Sequence, residues 1–262
     1  MDETPLTVTG LSGIPLVQAG DDLAEILVAA LAAADVAPMD GDVLVVTQKI
    51  VSKAEGRQVA LDHVEPSPAA IDLAAETGKD PRLVQLILDQ STEVVRKAPG
   101  VLITRNRLGL VCANAGIDQS NLDHGASATA LLLPAAPDAT AARLRRAIAD
   151  RTGARIGVLI SDSSNRPWRL GTVGIAIGAA GLAVLDDRRG SRDLYGRELQ
   201  ATLINRADAI AAAAVLVMGE STERTPAALV RGLPPPAGGP AQSAAPHTAA
   251  TIPRPLETDL FR

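Results

Sequence analysis

The chain has 262 residues, of which 47% are hydrophobic and 21% are charged, a composition that predicts a folded protein and argues against intrinsic disorder. Its net charge of −5, without a dense cluster of lysine and arginine, argues against a surface for nucleic acid or an anionic membrane. A single cysteine, Cys112, excludes a disulfide within the chain and fits a reducing compartment.

The N-terminus and the apolar stretches predict neither secretion nor membrane insertion. The first residues, Met1–Thr4, are acidic and lack the apolar core of a signal peptide. The longest uncharged apolar run, residues 173–185, is shorter than the roughly 20 residues that span a bilayer. These features predict a cytoplasmic protein without a membrane partner.

The first half of the chain alternates strand-like and helix-like segments. Residues 6–18 begin as a strand, and Asp21 or Asp22 is expected to cap a helix over residues 21–34. The remaining expected elements are a buried strand at Val43–Thr47, helices over 70–76 and 81–92, and a hairpin of strands Val101–Thr104 and Leu108–Ala113.

The second half continues this irregular alternation. A helix over 141–150, a buried strand at Ile156–Ile160 and a helix over 197–217 are expected, followed by a Pro- and Ala-rich, extended or poorly ordered tail. Because strands and helices do not alternate regularly, the sequence predicts an α+β fold of mixed sheets with flanking helices. The expected boundaries are a folded domain over 1–233 and a tail over 234–262.

Several common site motifs are missing from the sequence. No Walker-type phosphate loop occurs, and no G-x-G-x-x-G opens a helix after a strand. Neither an H-E-x-x-H motif nor a cysteine pair offers a zinc site. The chemistry must therefore come from polar segments near the predicted strands.

Two acidic segments follow predicted strands and could hold a hard cation. Asp162 and Ser163 come directly after Ile160, and Asp118 lies in the polar segment Asn114–Asn121. Carboxylate and hydroxyl oxygens are the ligands that Mg²⁺ and Mn²⁺ prefer. The alternatives are that Asp162 caps a turn and that the second segment is an ordinary polar loop.

Two further segments could contact a phosphate. The loop Gly219–Thr222 could offer backbone N–H groups, with Glu220 as a metal ligand. Lys53 could serve as a point charge for a nucleotide phosphate. The alternatives are a surface loop and a solvated lysine paired with Glu55.

The order and spacing of these segments resemble one family, the coenzyme F420-0:L-glutamate ligases, or γ-glutamyl ligases. The similarity extends from about residue 6 to about residue 233. The motifs that carry it are, in order, Gly13–Leu16, Gly41–Val46, Ile50–Gly56, Asn114–Asn121, Leu131–Pro134, Ser161–Ser163, Asp193–Leu199 and Met218–Glu220.

The resemblance implies a fold of two intimately packed subdomains and a homodimer. It also implies a GTP- and divalent-metal-dependent ligase that joins L-glutamate to F420-0 or its glutamylated forms through an amide bond. The carboxylate of the acceptor would first be phosphorylated by GTP, with Mg²⁺ or Mn²⁺ as cofactor, and the amine of glutamate would then displace phosphate.

The resemblance further implies roles for individual residues. Asp118, Asp162 and Lys53 are the expected catalytic residues. The expected metal ligands are Asp118, Asp162, Ser163 and Glu220. The expected nucleotide contacts are Gly13, Ile14, Pro15, Leu16, Lys53, Asn121, Gly219, Glu220, Ser221 and Thr222, and the expected substrate walls are Trp168, Arg169, Tyr195 and Arg197.

Two other functions remain open at this point. A metal-dependent hydrolase of a phosphorylated small molecule would use the same acidic segments with water in place of glutamate. A non-catalytic deazaflavin-binding protein would bind the precursor without turnover.

Overall fold

A computed structural model describes residues 5–122, 128–165, 169–236 and 248–259. Its strands are β1 (Thr7–Leu11), β2 (Val43–Thr47), β3 (Gln58–Ala60), β4 (Ser91–Ala98), β5 (Val101–Asn106), β6 (Val111–Ala113), β7 (Thr129–Leu131), β8 (Gly157–Asn165), β9 (Thr172–Ala180), β10 (Leu185–Asp187), β11 (Leu203–Asn205) and β12 (Ala227–Arg231). Its α-helices are α1 (Leu23–Ala33), α2 (Gln48–Ala54), α3 (Pro68–Thr77), α4 (Pro81–Asp89), α5 (Pro137–Thr152) and α6 (Arg206–Met218).

The described chain is an α+β structure that divides into two compact units. Unit 1 contains residues 1–16, 22–48 and 136–262, and unit 2 contains residues 17–21 and 49–135. Among the described residues, no helix combines the length and apolar character needed to cross a membrane.

Local capping explains where several helices begin and end. Asp22 accepts a hydrogen bond from the backbone N–H of Glu25 at the start of α1, as the sequence predicts. Ser67 does the same for α3, and Pro81 occupies the first turn of α4 after its cap, Asp80. Gly78 ends α3 in the left-handed conformation that glycine adopts without strain.

Unit 1 is built on a five-stranded sheet with the strand order β1-β12-β2-β8-β9. Only β2 and β8 pair in parallel, and the other neighbours are antiparallel. Val43–Val46 of β2 are buried, as expected for a central strand. A core cluster joins this sheet to α6 through small and aliphatic side chains such as Val45, Leu159 and Ala211.

Two aspartates satisfy backbone groups along β9, which lies at the edge of this sheet. Asp208 of α6 accepts from the N–H of Ala176 at 2.9 Å, and Asp138 of α5 accepts from that of Ala179 at 2.7 Å. Asp138 also accepts from the N–H of Ala249 at 2.8 Å, in a 3-10 turn that contacts β9. Since unpaired edge groups invite strand addition, this arrangement protects the edge.

The 3-10 turn Ala249–Thr251 belongs to the segment predicted to be extended or poorly ordered. Ala249 is only 3% exposed and lies in the core cluster of unit 1, with Ile252 packed against it. The Pro- and Ala-rich segment is therefore not extended throughout.

Unit 2 contains a three-stranded antiparallel sheet, β4-β5-β6, and a two-stranded antiparallel sheet, β3-β7. Helices α3 and α4 supply much of its core, where Val84 and Ile87 of α4 are fully buried beside Leu102 of β5. The last two strands of the three-stranded sheet form the hairpin that the sequence predicts.

Several predicted boundaries differ from the structure by three residues or more. Helix α4 ends at Asp89 and not near residue 92, because Ser91 begins β4, a strand that was not expected. Strand β8 continues through Asn165, so Asp162 lies inside a strand and not after one. Helix α6 begins at Arg206 and not at residue 197, because Asn205 caps it after β11.

Replacing Arg231 by methionine should destabilise unit 1 strongly. Arg231, at the end of β12, forms a two-pronged ion pair with Asp42 (2.9 and 2.7 Å), and the Asp42 side chain is only 3% exposed. Removing the guanidinium leaves a buried carboxylate without its counter-charge, which costs about 3 kcal/mol. Urea unfolding measures this change in the free energy of unfolding.

Arg155→Met is the matched control for that variant. Arg155 pairs with Asp40 at 2.7 Å, but both side chains are more than half exposed. An exposed pair contributes less than about 1 kcal/mol. Equal losses in the two variants would contradict the role assigned to the buried pair.

Candidate functional site

In unit 2, two lysines of α2 hold one polar loop. Lys49 and Lys53 are four residues apart, so they lie on the same helix face. The Lys49 ammonium lies 2.8 Å from Asp118 Oδ2 and 3.0 Å from Ser120 Oγ. The Lys53 ammonium donates to the backbone carbonyl of Asn121 at 3.0 Å. The predicted residues Lys53, Asp118 and Asn121 thus belong to one cluster.

The backbone of Asp118 is fixed by a short antiparallel bridge to β7. The N–H of Asp118 donates to the carbonyl of Leu131 at 3.0 Å, and the N–H of Leu131 donates back at 2.8 Å. Leu131 is fully buried. The carboxylate is therefore presented from an ordered backbone and not from a free loop.

The turn before Asp118 contains three successive residues with left-handed backbone conformation. Asn114, Ala115 and Gly116 have φ values of 52°, 57° and 77°. Such conformations cost free energy for residues other than glycine, and they cluster at functional sites. The Asn114 Oδ1 atom is buried and, among the described residues, accepts no hydrogen bond.

Electrostatics in this cluster favour the charged form of the acid. Burial alone would raise the pKa of Asp118, but hydrogen bonds from Lys49 and Ser120 outweigh it and hold the pKa below its usual value. Burial and the neighbouring Lys49 charge both lower the pKa of Lys53. A partly buried lysine beside a second cation favours an anionic ligand.

In unit 1, two of the predicted metal ligands are in contact. Ser163 Oγ donates to Glu220 Oε2 at 2.5 Å, which joins β8 to the loop after α6. Asp162 Oδ1 accepts from the N–H of Ser163 at 2.9 Å. Three predicted ligands of this unit, Asp162, Ser163 and Glu220, therefore lie in one short hydrogen-bonded group.

Strand pairing orients this group. β8 shifts register between Ile160 and Ser161, and beyond the shift Asp162 pairs with Ile175 of β9. A bulge of this kind turns the following side chains relative to the strand before it. The residues up to Ser161 are buried and Ser163 is exposed, so the polar end of β8 leaves the core at this point.

The loop after α6 is organised by its own glutamate. The carboxylate of Glu223 accepts from the N–H of Ser221 at 2.8 Å and from its hydroxyl at 3.1 Å. The hydrogen bond from the Ser221 backbone, together with that from its hydroxyl, lowers the pKa of Glu223. Gly219 has φ of 74°, and a Cβ there would overlap the Glu223 side chain, so glycine is required in this conformation. The predicted Gly219–Thr222 segment is thus a turn whose N–H groups face an anion.

The predicted nucleotide loop Gly13–Leu16 follows β1. Ile14 is buried at 6% exposure and anchors the loop, whereas Leu16 is 73% exposed. Gly13 adopts φ of 78°, with open space around it. The Ile14 side chain therefore packs inside unit 1, while Gly13, Pro15 and Leu16 are exposed and could be reached by a ligand.

Of the four predicted substrate walls, Arg169, Tyr195 and Arg197 lie among the described residues, and all three are exposed. Trp168 lies outside the described residues. Tyr195 is 96% exposed at the tip of a turn, where the N–H groups of Tyr195 and Arg197 both donate to Asp193.

The donor set suits a hard cation, although the described residues contain no group of three or more His, Cys, Asp or Glu side chains arranged to hold a metal ion. In unit 2 an ammonium group lies between the oxygens of Asp118 and Ser120. In unit 1 the nearby oxygens belong to two carboxylates and a hydroxyl. Such oxygens are the ligands that Mg²⁺ and Mn²⁺ prefer.

Lys49 and Ser120, which contact Asp118 directly, were not among the expected site residues. The signal available was the four-residue spacing of Lys49 from Lys53, which places both lysines on one helix face. The contact of Lys49 with Ser120 joins residues 71 positions apart, and no local pattern encodes such a pairing.

Comparisons with known proteins give a consistent result. The family described as F420-0:Gamma-glutamyl ligase matches residues 13–232. A coenzyme F420:L-glutamate ligase from Methanopyrus kandleri is 48% identical over 94% of this chain and 93% of its own length. The enzyme of that name from Methanothermobacter thermautotrophicus is 47% identical over 87% of this chain and 90% of its own length. The chain therefore belongs to the F420-0:gamma-glutamyl ligase family.

Proposed function

We propose that this chain is a GTP- and divalent-metal-dependent ligase of coenzyme F420 biosynthesis. It joins the amine of L-glutamate to a carboxylate of F420-0, or of an already glutamylated form, through a γ-glutamyl amide bond. Membership of the family supports the ligase reaction. The observation that supports the metal requirement is the group of oxygen atoms from Asp162, Ser163 and Glu220 in unit 1.

The proposed reaction has two steps that balance without a redox partner. A carboxylate oxygen of the acceptor attacks the γ-phosphorus of GTP, and the bond to the bridging oxygen breaks to release GDP. The amine of glutamate then attacks the acyl carbon, phosphate leaves, and the nitrogen loses a proton. Phosphoryl transfer depends mainly on positioning and charge neutralisation, which a bound divalent cation supplies.

Different residues would bind the metal and neutralise the charge of the nucleotide. Asp118 in unit 2, and Asp162, Ser163 and Glu220 in unit 1, are the proposed metal ligands. Lys53 supplies positive charge toward the nucleotide. Burial and Lys49 lower its pKa, and a bound anion would offset both effects.

Backbone groups make the other proposed nucleotide contacts. They come from Gly13–Leu16, Asn121 and Gly219–Thr222. The N–H of Ser221 donates to the carboxylate of Glu223, and a phosphate that took the place of this carboxylate could accept the same hydrogen bond. We further propose that the enzyme acts in the cytoplasm as a homodimer.

Mass spectrometry of a reaction mixture tests the proposal. Purified protein incubated with F420-0, L-glutamate, GTP and Mg²⁺ or Mn²⁺ should increase the mass of F420-0 by one or more glutamate residues. The product should disappear when GTP, glutamate or metal is omitted. Light scattering of the same preparation measures its mass in solution and tests the dimer.

Other results would favour a different function or a different nucleotide. Release of phosphate without glutamate addition would favour the hydrolase. Binding of F420-0 without turnover would favour a deazaflavin-binding protein. Equal rates with ATP and GTP would contradict the nucleotide assignment while leaving the ligase reaction in place.

A further inference from the structure

The Asp118 carboxylate already has a partner on each oxygen. Oδ1 accepts from the backbone N–H of Ser120 at 2.7 Å, and Oδ2 faces the Lys49 ammonium at 2.8 Å. The two side chains of the ion pair are only 25% and 24% exposed. Water therefore screens this pair less than it screens a surface ion pair.

The helix α2 does not itself favour a positive charge at Lys49. Lys49 is the second residue of the helix, near the end where the helix dipole disfavours a cation. The two side-chain acceptors of its ammonium, Asp118 and Ser120, both lie in the loop that follows β6. The positive charge of Lys49 is thus stabilised by the loop that contains Asp118 and not by the helix.

A divalent cation at Asp118 would bind the same carboxylate whose charge Lys49 already neutralises. Oδ2 cannot keep a 2.8 Å contact with an ammonium and also bind a metal ion without placing two cations against one carboxylate. Like charges at such separations repel strongly in a partly buried site. Lys53 is near enough for the charge of Asp118 to act on it, but its ammonium donates to the carbonyl of Asn121, whereas that of Lys49 contacts the carboxylate directly.

We propose that Lys49 is a resident counter-ion of Asp118 that competes with the divalent cation and so lowers the metal affinity of unit 2. This inference rests on the proposed metal requirement and assigns a positioning role to a residue outside the expected ligand set. In the metal-free protein Lys49 neutralises the acid and keeps the loop at residues 118–121 folded. When a divalent ion binds, the ammonium moves away from Oδ2.

Titration of the full chain with Mn²⁺, without nucleotide, tests this proposal. The electron paramagnetic resonance signal of free Mn²⁺ reports how much ion the protein has bound. Lys49→Met should bind Mn²⁺ about five- to tenfold more tightly than the wild type, because one competing charge has been removed. Lys49→Arg keeps the charge and should stay within about twofold of the wild type.

Two controls assign the gain to Asp118. Lys97→Met removes a lysine of the same unit whose ion pair with Glu76 is about half exposed, and it should leave Mn²⁺ affinity unchanged. Adding Asp118→Asn to Lys49→Met should abolish the gain. Circular dichroism and thermal melting verify that each variant is folded.

The outcomes separate this inference from the proposed function. If the wild type binds Mn²⁺ and folded Lys49→Met binds it equally or more weakly, competition by Lys49 is wrong while the metal requirement stands. If neither protein binds Mn²⁺, the inference and the metal requirement both fail. A gain in Lys49→Met that survives the loss of Asp118 would also overturn the inference.

Discussion

Replacing Asp162 by asparagine should lower the rate of glutamate addition by about a hundredfold or more. The substitution keeps the size of the side chain and the acceptor for the N–H of Ser163, which lies 2.9 Å from Oδ1. It removes the negative charge that the proposed metal requires. A bound metal ion contributes several kcal/mol of transition-state stabilisation, and each 1.4 kcal/mol corresponds to a factor of ten in rate.

Initial rates of γ-glutamyl product formation at saturating GTP and metal measure this effect. Asp150→Asn is the matched control, because Asp150 is an exposed aspartate of α5 in the same unit. Its rate should equal that of the wild type. A folded Asp162→Asn variant with more than about a tenth of wild-type activity would exclude Asp162 as a metal ligand.

Replacing Gly178 by alanine should destabilise unit 1 by about 3 kcal/mol. A Cβ at Gly178 would lie 2.6–2.7 Å from the backbone C and O atoms and the Cβ of Pro137, the first residue of α5. Backbone atoms cannot rotate away as a flexible side chain can, so α5 must move from the sheet. Overpacking of this kind typically costs 1–3 kcal/mol, and the upper end applies to a fixed backbone.

The free energy of unfolding in urea, taken with the slope of the transition, measures this loss. Gly153→Ala is the control: this glycine ends α5 with φ of 76° and has no neighbour within 4 Å of a Cβ. It should lose only about 1 kcal/mol, from backbone strain. A smaller loss at Gly178 than at Gly153 would show that α5 does not need this close approach.

The sequence predicted those elements whose burial follows a regular pattern. The strand Val43–Thr47 was predicted at its observed bounds because a central strand reads as a continuous apolar run. The start of α1 was predictable because capping chemistry is local. β4 could not be predicted because most of its residues are exposed, including Val94 and Val95. Its sequence therefore lacks the alternation of apolar and polar residues that indicates a strand with one buried face.

Some residues of the candidate site could likewise be predicted from local motifs, and others could not. Family motifs indicated Asp118 and Lys53, and the structure brings them into one cluster, but Lys49 enters that cluster through a contact between distant residues. The extent of β8 past Asp162 was hidden because its last residues are polar and are held by pairing with β9. Pairing of that kind depends on which strands become neighbours, and this is decided by the whole fold.

The covering of β9 by Ala249–Thr251 has a consequence for synthesis of the chain. The turn lies about 70 residues after the end of β9, and ribosomes add roughly 5–20 residues per second. After β9 has been synthesised, several seconds therefore pass before the residues that cover it in the folded protein are added. During that interval the strand lacks this cover. A truncation before residue 248 would make that transient state permanent and should promote aggregation without altering any proposed ligand.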